Sequence, residues 1–490
     1  MEKQCCVVII GAGIAGLSCA KYLIENDIQD FVILETNNQI GGRCQTIKLM
    51  DQSIELGTEL LQGNSTNNPL YQLADEHHLL DQSDSKIQVD CFSFHLGGFD
   101  RDDCYHDEDG ESIDEDIINE IRTIYDEILE KKVPTYPYEN YPDLSLGEFI
   151  LTEFDQYFQL KKVALDKNEI DQREKVIDWL SKQHPILNGI GCEKLMDVSV
   201  QDEEFHNVDK YIQDGFSIFL QTIFENKITT EKIHLNAKVK RIAIHEANQS
   251  VSIEVIEQNH ETITYQAKHV VCTQSIGCLK KTMHEMFVPP LPYSKQVSIE
   301  KLGFGTINKI YLIFSQPFWD VDFNSFNFLW KSNTEWKLTC LKNTSYDSQW
   351  YKSITGFYVH HRLSNTLVTQ IGGEAGKYIE TIPDELLSDC FQELFCRFYP
   401  DNQIPKPNKL IRSQWFNNTS TYGSHTFIAL GSTIHDIKRL ALPWPNKPTE
   451  PLVLFAGEGT HERFYGTAHG AFLTGIREAK RIVELYKNNI

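Results

Sequence analysis

Cys6-Val7-Val8-Ile9-Ile10 is an unbroken apolar run rich in β-branched residues, the pattern of a strand buried on both faces. The period then changes. Leu17, Ala20, Leu23 and Ile24 recur at three- and four-residue spacing, which predicts a helix with one apolar stripe. Phe31-Val32-Ile33-Leu34 is a second apolar run, ending on Glu35. Strand, helix and strand make a βαβ unit. Ser53 to Gly63 reads as a strand entering a glycine-bounded loop, and residues 69–80 as a short helix. Helical stripes follow at Ile117–Lys131, Leu146–Leu160 and Ile170–Lys182. From Tyr211 to Ile299 the pattern is α/β again. Gly215-Phe216 precedes a helix over Ser217–Asn226. Strands are expected at Val239–Ile242, Val251–Ile256 and Thr262–Ala267, with His269–Thr273 a further buried strand. Lys309–Phe314 alternates as a strand, Pro383–Phe398 reads as a helix, and Leu452–Phe455 as a strand before a long helix over residues 467–486.

The turn between the first strand and the first helix is Gly11-Ala12-Gly13-Ile14-Ala15-Gly16. In this setting the spacing is a dinucleotide fingerprint. Gly11 permits the tight turn, Gly13 lets backbone amides approach a pyrophosphate, and Gly16 lets the helix pack closely on the strand. The helix N-terminus offers a positive dipole to the phosphates. Glu35 stands where a carboxylate accepts both ribose hydroxyls. The fingerprint alone does not separate NAD from FAD. Gly41-Gly42-Arg43 shortly after Glu35 does, because that second glycine turn with an arginine resembles the GG-doublet flavoproteins.

Composition narrows the class. A chain of 490 residues is too long for one ordinary core, so two domains are expected. With 41% hydrophobic residues and no apolar run of membrane-spanning length, a soluble protein is expected, with no membrane partner. Sixty-nine acids against 46 bases leave a net charge of −23, which argues against nucleic acid as a partner. The 12 cysteines show no metal-ligand spacing, so no metal is expected; with no export or peroxisomal signal legible, a cytoplasmic location is. The acid-rich segment from Asp100 to Asp116 reads as a solvated loop.

Further motifs give the whole chain a resemblance. They are Ile54-Glu55-Leu56-Gly57, Val288-Pro289-Pro290-Leu291-Pro292 with Lys295, Leu302 to Ile310, Gln414-Trp415 with Gly423-Ser424, and Phe455 to Ala479. With the glycine opening they resemble the flavin-containing amine oxidases, and among these the fungal polyamine or spermine oxidases. The implied fold class is α/β. A GG-doublet, Rossmann-like FAD domain (1–80, 208–299 and 405–490) is interleaved with an α+β substrate domain (81–207 and 300–404). The implied cofactor is non-covalent FAD. The implied substrates are a polyamine (spermine or an N-acetylated polyamine) and O2, giving an aldehyde, a shorter amine and H2O2.

The resemblance assigns residues one at a time. Lys309 matches the lysine that holds a water against flavin N5, and is the catalytic candidate. Gly57 and Thr58 fall in the cofactor-facing turn, and the backbone near Val239 matches the adenine contact. Glu458 matches the acid against the diphosphate and ribityl region. Thr467 and Ala468 match the helix start beneath the isoalloxazine, and Trp415 matches the tryptophan packed on the flavin. Gln62, Glu59 and His425 are the substrate-facing candidates, and two of them depart from the pattern. Gln62 replaces a histidine or glutamate, and His425 replaces an aromatic, often tyrosine. Fungal relatives include proteins described as corticosteroid binders, so a steroid-like apolar ligand is the alternative partner.

Overall fold

The computed structural model describes residues 2–49, 52–61, 68–82, 102–133, 144–161, 165–183, 210–258, 261–331, 334–400, 403–445, 447 and 451–487. The chain divides into two compact units. Unit 1 comprises Met1–Lys86, Glu204–Phe304 and Asn418–Ile490; unit 2 comprises Ile87–Glu203 and Gly305–Asn417. The third segment of unit 1 starts at Asn418 rather than at the expected 405 because the strand Lys409–Arg412 pairs antiparallel with Ile307–Ile313 in the sheet of unit 2.

Unit 1 is built on an eight-stranded sheet. Strand β1 (Glu2–Ile10), helix α1 (Ile14–Glu25) and strand β2 (Phe31–Leu34) form the expected βαβ opening, with β1 and β2 parallel. Val7 to Ile10 and Phe31 to Leu34 are all buried, which is why their pattern is continuous and not alternating. On its other side β1 runs parallel to Thr262–Cys272. That segment is a single strand of 11 residues, not the two expected. Its first half pairs antiparallel with Ser250–Ile256, and its second half pairs parallel with Val453–Phe455. One strand with two kinds of neighbour shows two hydrophobic patterns, and the sequence reads as two strands.

The last helix, Ala468–Lys487, lies against α1 at very short range. A Cβ at Gly475 would fall 2.1 Å from the Ala15 carbonyl oxygen, and Ser18 Oγ donates to the Phe472 carbonyl at 3.0 Å. Lys295 is buried and donates to the carbonyls of Arg439, Leu440 and Leu442 at 2.7–2.9 Å, capping the C-terminus of the helix Ile434–Ala441.

Unit 2 carries a six-stranded sheet in the order Lys409–Arg412, Ile307–Ile313, Leu363–Gly372, Gly356–His360, Phe323–Leu329, Asp102–Asp107. Helix Asp384–Phe398 turns Leu387, Phe391, Leu394, Phe395 and Phe398 into an aromatic core with Phe326, Phe328 and Phe357. Helices Glu115–Glu127, Leu146–Lys161 and Lys167–Gln183 close a second cluster around Trp179 and Leu329.

Part of the acid-rich segment corrects the expectation of a solvated loop, although Asp109, Glu111, Asp114 and Asp116 are exposed. Asp102–Asp107 is a strand, parallel to Phe323–Leu329, and Asp107 is 4% exposed. Lys175 Nζ, itself buried, reaches Asp107 Oδ2 at 2.9 Å. Burial alone would raise the Asp107 pKa, but the lysine and two backbone donors outweigh it and hold the carboxyl below its ordinary range. Charge counted along the chain shows no trace of a partner that arrives 68 residues later.

Candidate active site

In unit 1, Gly11, Glu35 and Glu458 lie just beyond the carboxyl ends of the parallel strands Glu2–Ile10, Phe31–Leu34 and Val453–Phe455, where open α/β sheets place their ligands. At Gly11, φ is +101°, and an added Cβ would lie 2.6 Å from Thr273 Oγ1. At Gly16 a Cβ would fall 2.0 Å from the Gly11 carbonyl oxygen, so helix and turn touch backbone to backbone. The second glycine turn folds onto the first. Gly13 and Gly41 form an isolated parallel bridge, the Gly41 amide donates to the Ala12 carbonyl at 2.9 Å, and a Cβ on Gly42 would stand 3.4 Å from Gly13 Cα. The result is a backbone cradle at the start of α1, narrow enough that side chains would fill it. This is the form a pyrophosphate requires.

Glu35 caps the floor of that cradle. One carboxylate oxygen accepts from the Ala12 amide at 2.7 Å and the other from the Asn37 amide at 2.8 Å. Burial raises its pKa and the backbone donors oppose the rise. The Thr36 amide and the Asn37 side chain also donate to this carboxylate, which is fixed by hydrogen bonds on both of its oxygens. Val239 is buried in the strand Lys238–His245, and just before it Ala237 donates its amide to the Glu35 carbonyl at 2.8 Å. The predicted adenine-side backbone and Glu35 are thereby tied together.

Arg43 joins the glycine turn to the C-terminal block. Its Nη1 donates to Glu458 Oε1 at 2.6 Å and to the Ser424 carbonyl at 3.0 Å, and its guanidinium lies 5.6 Å from the Phe304 ring centroid. Glu458 also accepts from Thr426 Oγ1 at 2.9 Å and from the Gly466 amide at 2.8 Å. Burial would raise the Glu458 pKa; Arg43 and these donors reverse that and hold it below the ordinary carboxylate value. Gly57 and Thr58 lie on the turn beyond Arg43, with the Thr58 amide directed at the Arg43 carbonyl (3.3 Å).

Thr467 is the residue before the last helix. Its Oγ1 accepts from the Gly470 amide at 3.1 Å, the capping bond of a helix whose first residue is Ala468. His425 stands next to this start: its Nδ1 lies 3.0 Å from Ser424 Oγ, and a Cβ on Gly466 would be 3.6 Å from its Cδ2. Burial lowers the His425 pKa, so the neutral ring is favoured. Glu59 is 9% exposed and leads into the short strand Leu60–Leu61, which pairs with Lys210–Tyr211. Gln62 lies outside the described residues.

Lys309 and Trp415 belong to unit 2 and are brought together there. Lys309 is buried on the strand Ile307–Ile313; its amide donates to Ser413 Oγ at 2.9 Å, and its carbonyl accepts the Ser413 amide at 3.0 Å. Ser413 Oγ in turn donates to Asn308 Oδ1 at 3.2 Å, and the same oxygen accepts the Trp415 amide at 3.1 Å. The residues that sequence reasoning missed are the ones that do the holding: Thr426, Asn308, Ser413 and Glu380. Asn308 was inside a recognised block with no role. For Glu380 there was no local signal.

Residues 14–483 match the family model described as flavin containing amine oxidoreductase. The chain belongs to this family and is an FAD-dependent amine oxidase. It is 27% identical to the human peroxisomal N(1)-acetyl-spermine/spermidine oxidase over 499 residues, covering 98% of this chain and 95% of the relative. A probable polyamine oxidase of Arabidopsis thaliana is 24% identical, with all of both chains covered. Among solved structures, a redesigned putrescine oxidase superposes with a TM-score of 0.69 at 16% identity, over 99% of this chain and all of that one, which shows a shared fold. Among the described residues no helix is long and apolar enough to cross a membrane.

Proposed function

We propose that the chain oxidises polyamines, with spermine or an N-acetylated polyamine as substrate. What carries this reading is the near-full-length similarity to oxidases named for N(1)-acetylated spermine and spermidine. When bound, FAD accepts a hydride from the carbon beside an amine nitrogen and hands the electrons to O2, so that water completes the cleavage to an aldehyde and a shorter amine and H2O2 is released.

The chain's own residues supply binding and polarity. The Gly11–Gly16 and Gly41–Gly42 cradle takes the pyrophosphate on backbone amides. Arg43 neutralises Glu458 and orients it toward the diphosphate and ribityl side. The N-terminus of the last helix, at Thr467 and Ala468, places a positive dipole end where negative charge develops. Lys309 holds a water by its Nζ, and Trp415 supplies an apolar wall. His425, neutral because it is buried, presents a face that does not repel a cationic amine. Glu59 is the acid for a substrate ammonium. By the family resemblance Ser424 falls where some relatives carry the cysteine that bonds the flavin, so the cofactor is non-covalent.

The reading is tested by anaerobic mixing of the yellow holoprotein with spermine, with N1-acetylspermine and with a corticosteroid. Bleaching by an amine supports it and ranks the substrates. A spectral shift with steroid and no bleaching by any amine would replace it with an apolar-ligand role. Lys309→Met is expected to retain FAD and lose at least about a hundredfold in turnover. Unchanged turnover would remove Lys309 from its role.

A further inference from the structure

Three consecutive backbone amides in unit 2 are held by side chains and not by a helix or sheet ladder. The Trp415 amide donates to Asn308 Oδ1 at 3.1 Å, the Phe416 amide to Glu380 Oε1 at 2.9 Å, and the Asn417 amide to Glu380 Oε2 at 2.7 Å. The two acceptor side chains are themselves joined, Asn308 Nδ2 to Glu380 Oε1 at 2.7 Å. Asn308 is fully buried and its amide is saturated: Nδ2 also donates to the Gly376 carbonyl at 2.9 Å, while Oδ1 also accepts Ser413 Oγ–H. Ser413 Oγ carries the same network to the Lys309 amide. Glu380, 6% exposed, follows the helix Gly373–Ile379. Arg412 ties that turn down through the carbonyls of Ile379 and Ile382 and through Asp384.

We infer that Glu380, acting through Asn308, is a positioning residue that sets the Trp415–Asn417 backbone against Lys309. The inference rests on the roles proposed for Lys309 and Trp415. A buried carboxylate with several acceptor sites is suited to gripping converging N–H donors, and no neutral side chain offers the same. The adjacent positions Asn308 and Lys309 point to opposite faces of one strand, so the face that carries the network is separate from the face that carries the lysine. That division lets one strand serve chemistry and support at once.

The variant is Glu380→Gln in the holoenzyme. It keeps the shape and one oxygen, but turns an NH2 toward an N–H donor. Two readouts are needed. Hydrogen exchange of the Phe416 and Asn417 amides is expected to accelerate at least about tenfold, while helix Asp384–Phe398 keeps its protection. The limiting rate of flavin reduction by amine is expected to fall at least about tenfold with the substrate concentration for half-maximal rate little changed. Unchanged exchange would overturn the grip. Faster exchange with wild-type reduction would overturn the positioning role. If Glu380→Gln does not fold, Ser413→Ala cuts the link between Lys309 and Asn308 and is expected to show the same slowing of reduction; wild-type rates there would sink the inference. A wild-type protein that no amine bleaches would defeat the proposed function instead, and the exchange experiment would still report on the grip.

Discussion

Arg43 and Glu458 in unit 1 meet as full charges at 2.6 Å, while Asn308, Ser413 and Glu380 in unit 2 hold backbone amides by directed hydrogen bonds. The first device is an ion pair between two side chains; in the second, side-chain acceptors, the Glu380 carboxylate among them, are aimed at backbone amides. Removing one member of a buried ion pair strands the other in a low-dielectric interior, a cost paid whatever the fine geometry. Removing one member of an amide network leaves a donor unsatisfied and lets the backbone shift, so function is lost before stability is.

The largest effect is expected where neither device can compensate. Gly16→Val drives a Cβ branch toward a carbonyl oxygen that would lie 2.0 Å away, and neither backbone can move without opening the α1–β1 turn. The expected cost is about 3 kcal/mol or more, with loss of bound flavin, read by thermal melting and by the visible spectrum. A yellow, normally melting variant would show that the close approach is unimportant.

Arg43→Met comes next. With Arg43 partly exposed, the expected destabilisation at pH 7 is about 2–3 kcal/mol, with weaker FAD binding. Its pH dependence sharpens the contrast. The folded pKa of Glu458 lies below its ordinary 4.5, so its contribution is complete above 4.5 and is lost as pH falls through the folded value. The gap between Arg43→Met and wild type should therefore narrow below pH 4.5. A constant gap would mean that Arg43 acts by packing and not by charge.

His461 is expected to give the smallest effect. Its Nδ1 accepts the amides of Arg463 and Phe464 at 3.2 and 2.9 Å, and burial, with Arg477 nearby, lowers its pKa from 6.5 to about 4. A lowered pKa means the unfolded chain binds the proton first, so stability is full above 6.5 and declines as pH falls toward 4. His461→Asn can still accept the two amides and should flatten that part of the melting curve with little change at pH 7. A curve identical to wild type across this window would assign the slope to other groups.

Much of unit 1 was legible because its signals are local. The turn Gly11–Gly16, the run Phe31–Leu34 with Glu35, and Gly41-Gly42-Arg43 lie within the first 43 residues, each next to the element it serves. In unit 2 the legible parts were the elements themselves, such as the strand at Ile307–Ile313 and the helix at Asp384–Phe398. Their polar wiring was not legible. Glu380 acts on Asn308 across 72 positions and on Phe416 across 36, and Lys175 pairs with Asp107 across 68. No periodicity reports a hydrogen bond at that separation.

By itself the sequence determined the class of fold and the cofactor cradle, because hydrophobic period and glycine spacing act over a few residues and are written contiguously, while motifs spread along the whole chain carried the resemblance to the flavin amine oxidases. Only the tertiary structure decided which acids are buried and which carboxylate holds which amide. Burial and pairing depend on what the rest of the chain brings alongside. Asp107, expected in water and found paired inside unit 2, carries that lesson as a single residue.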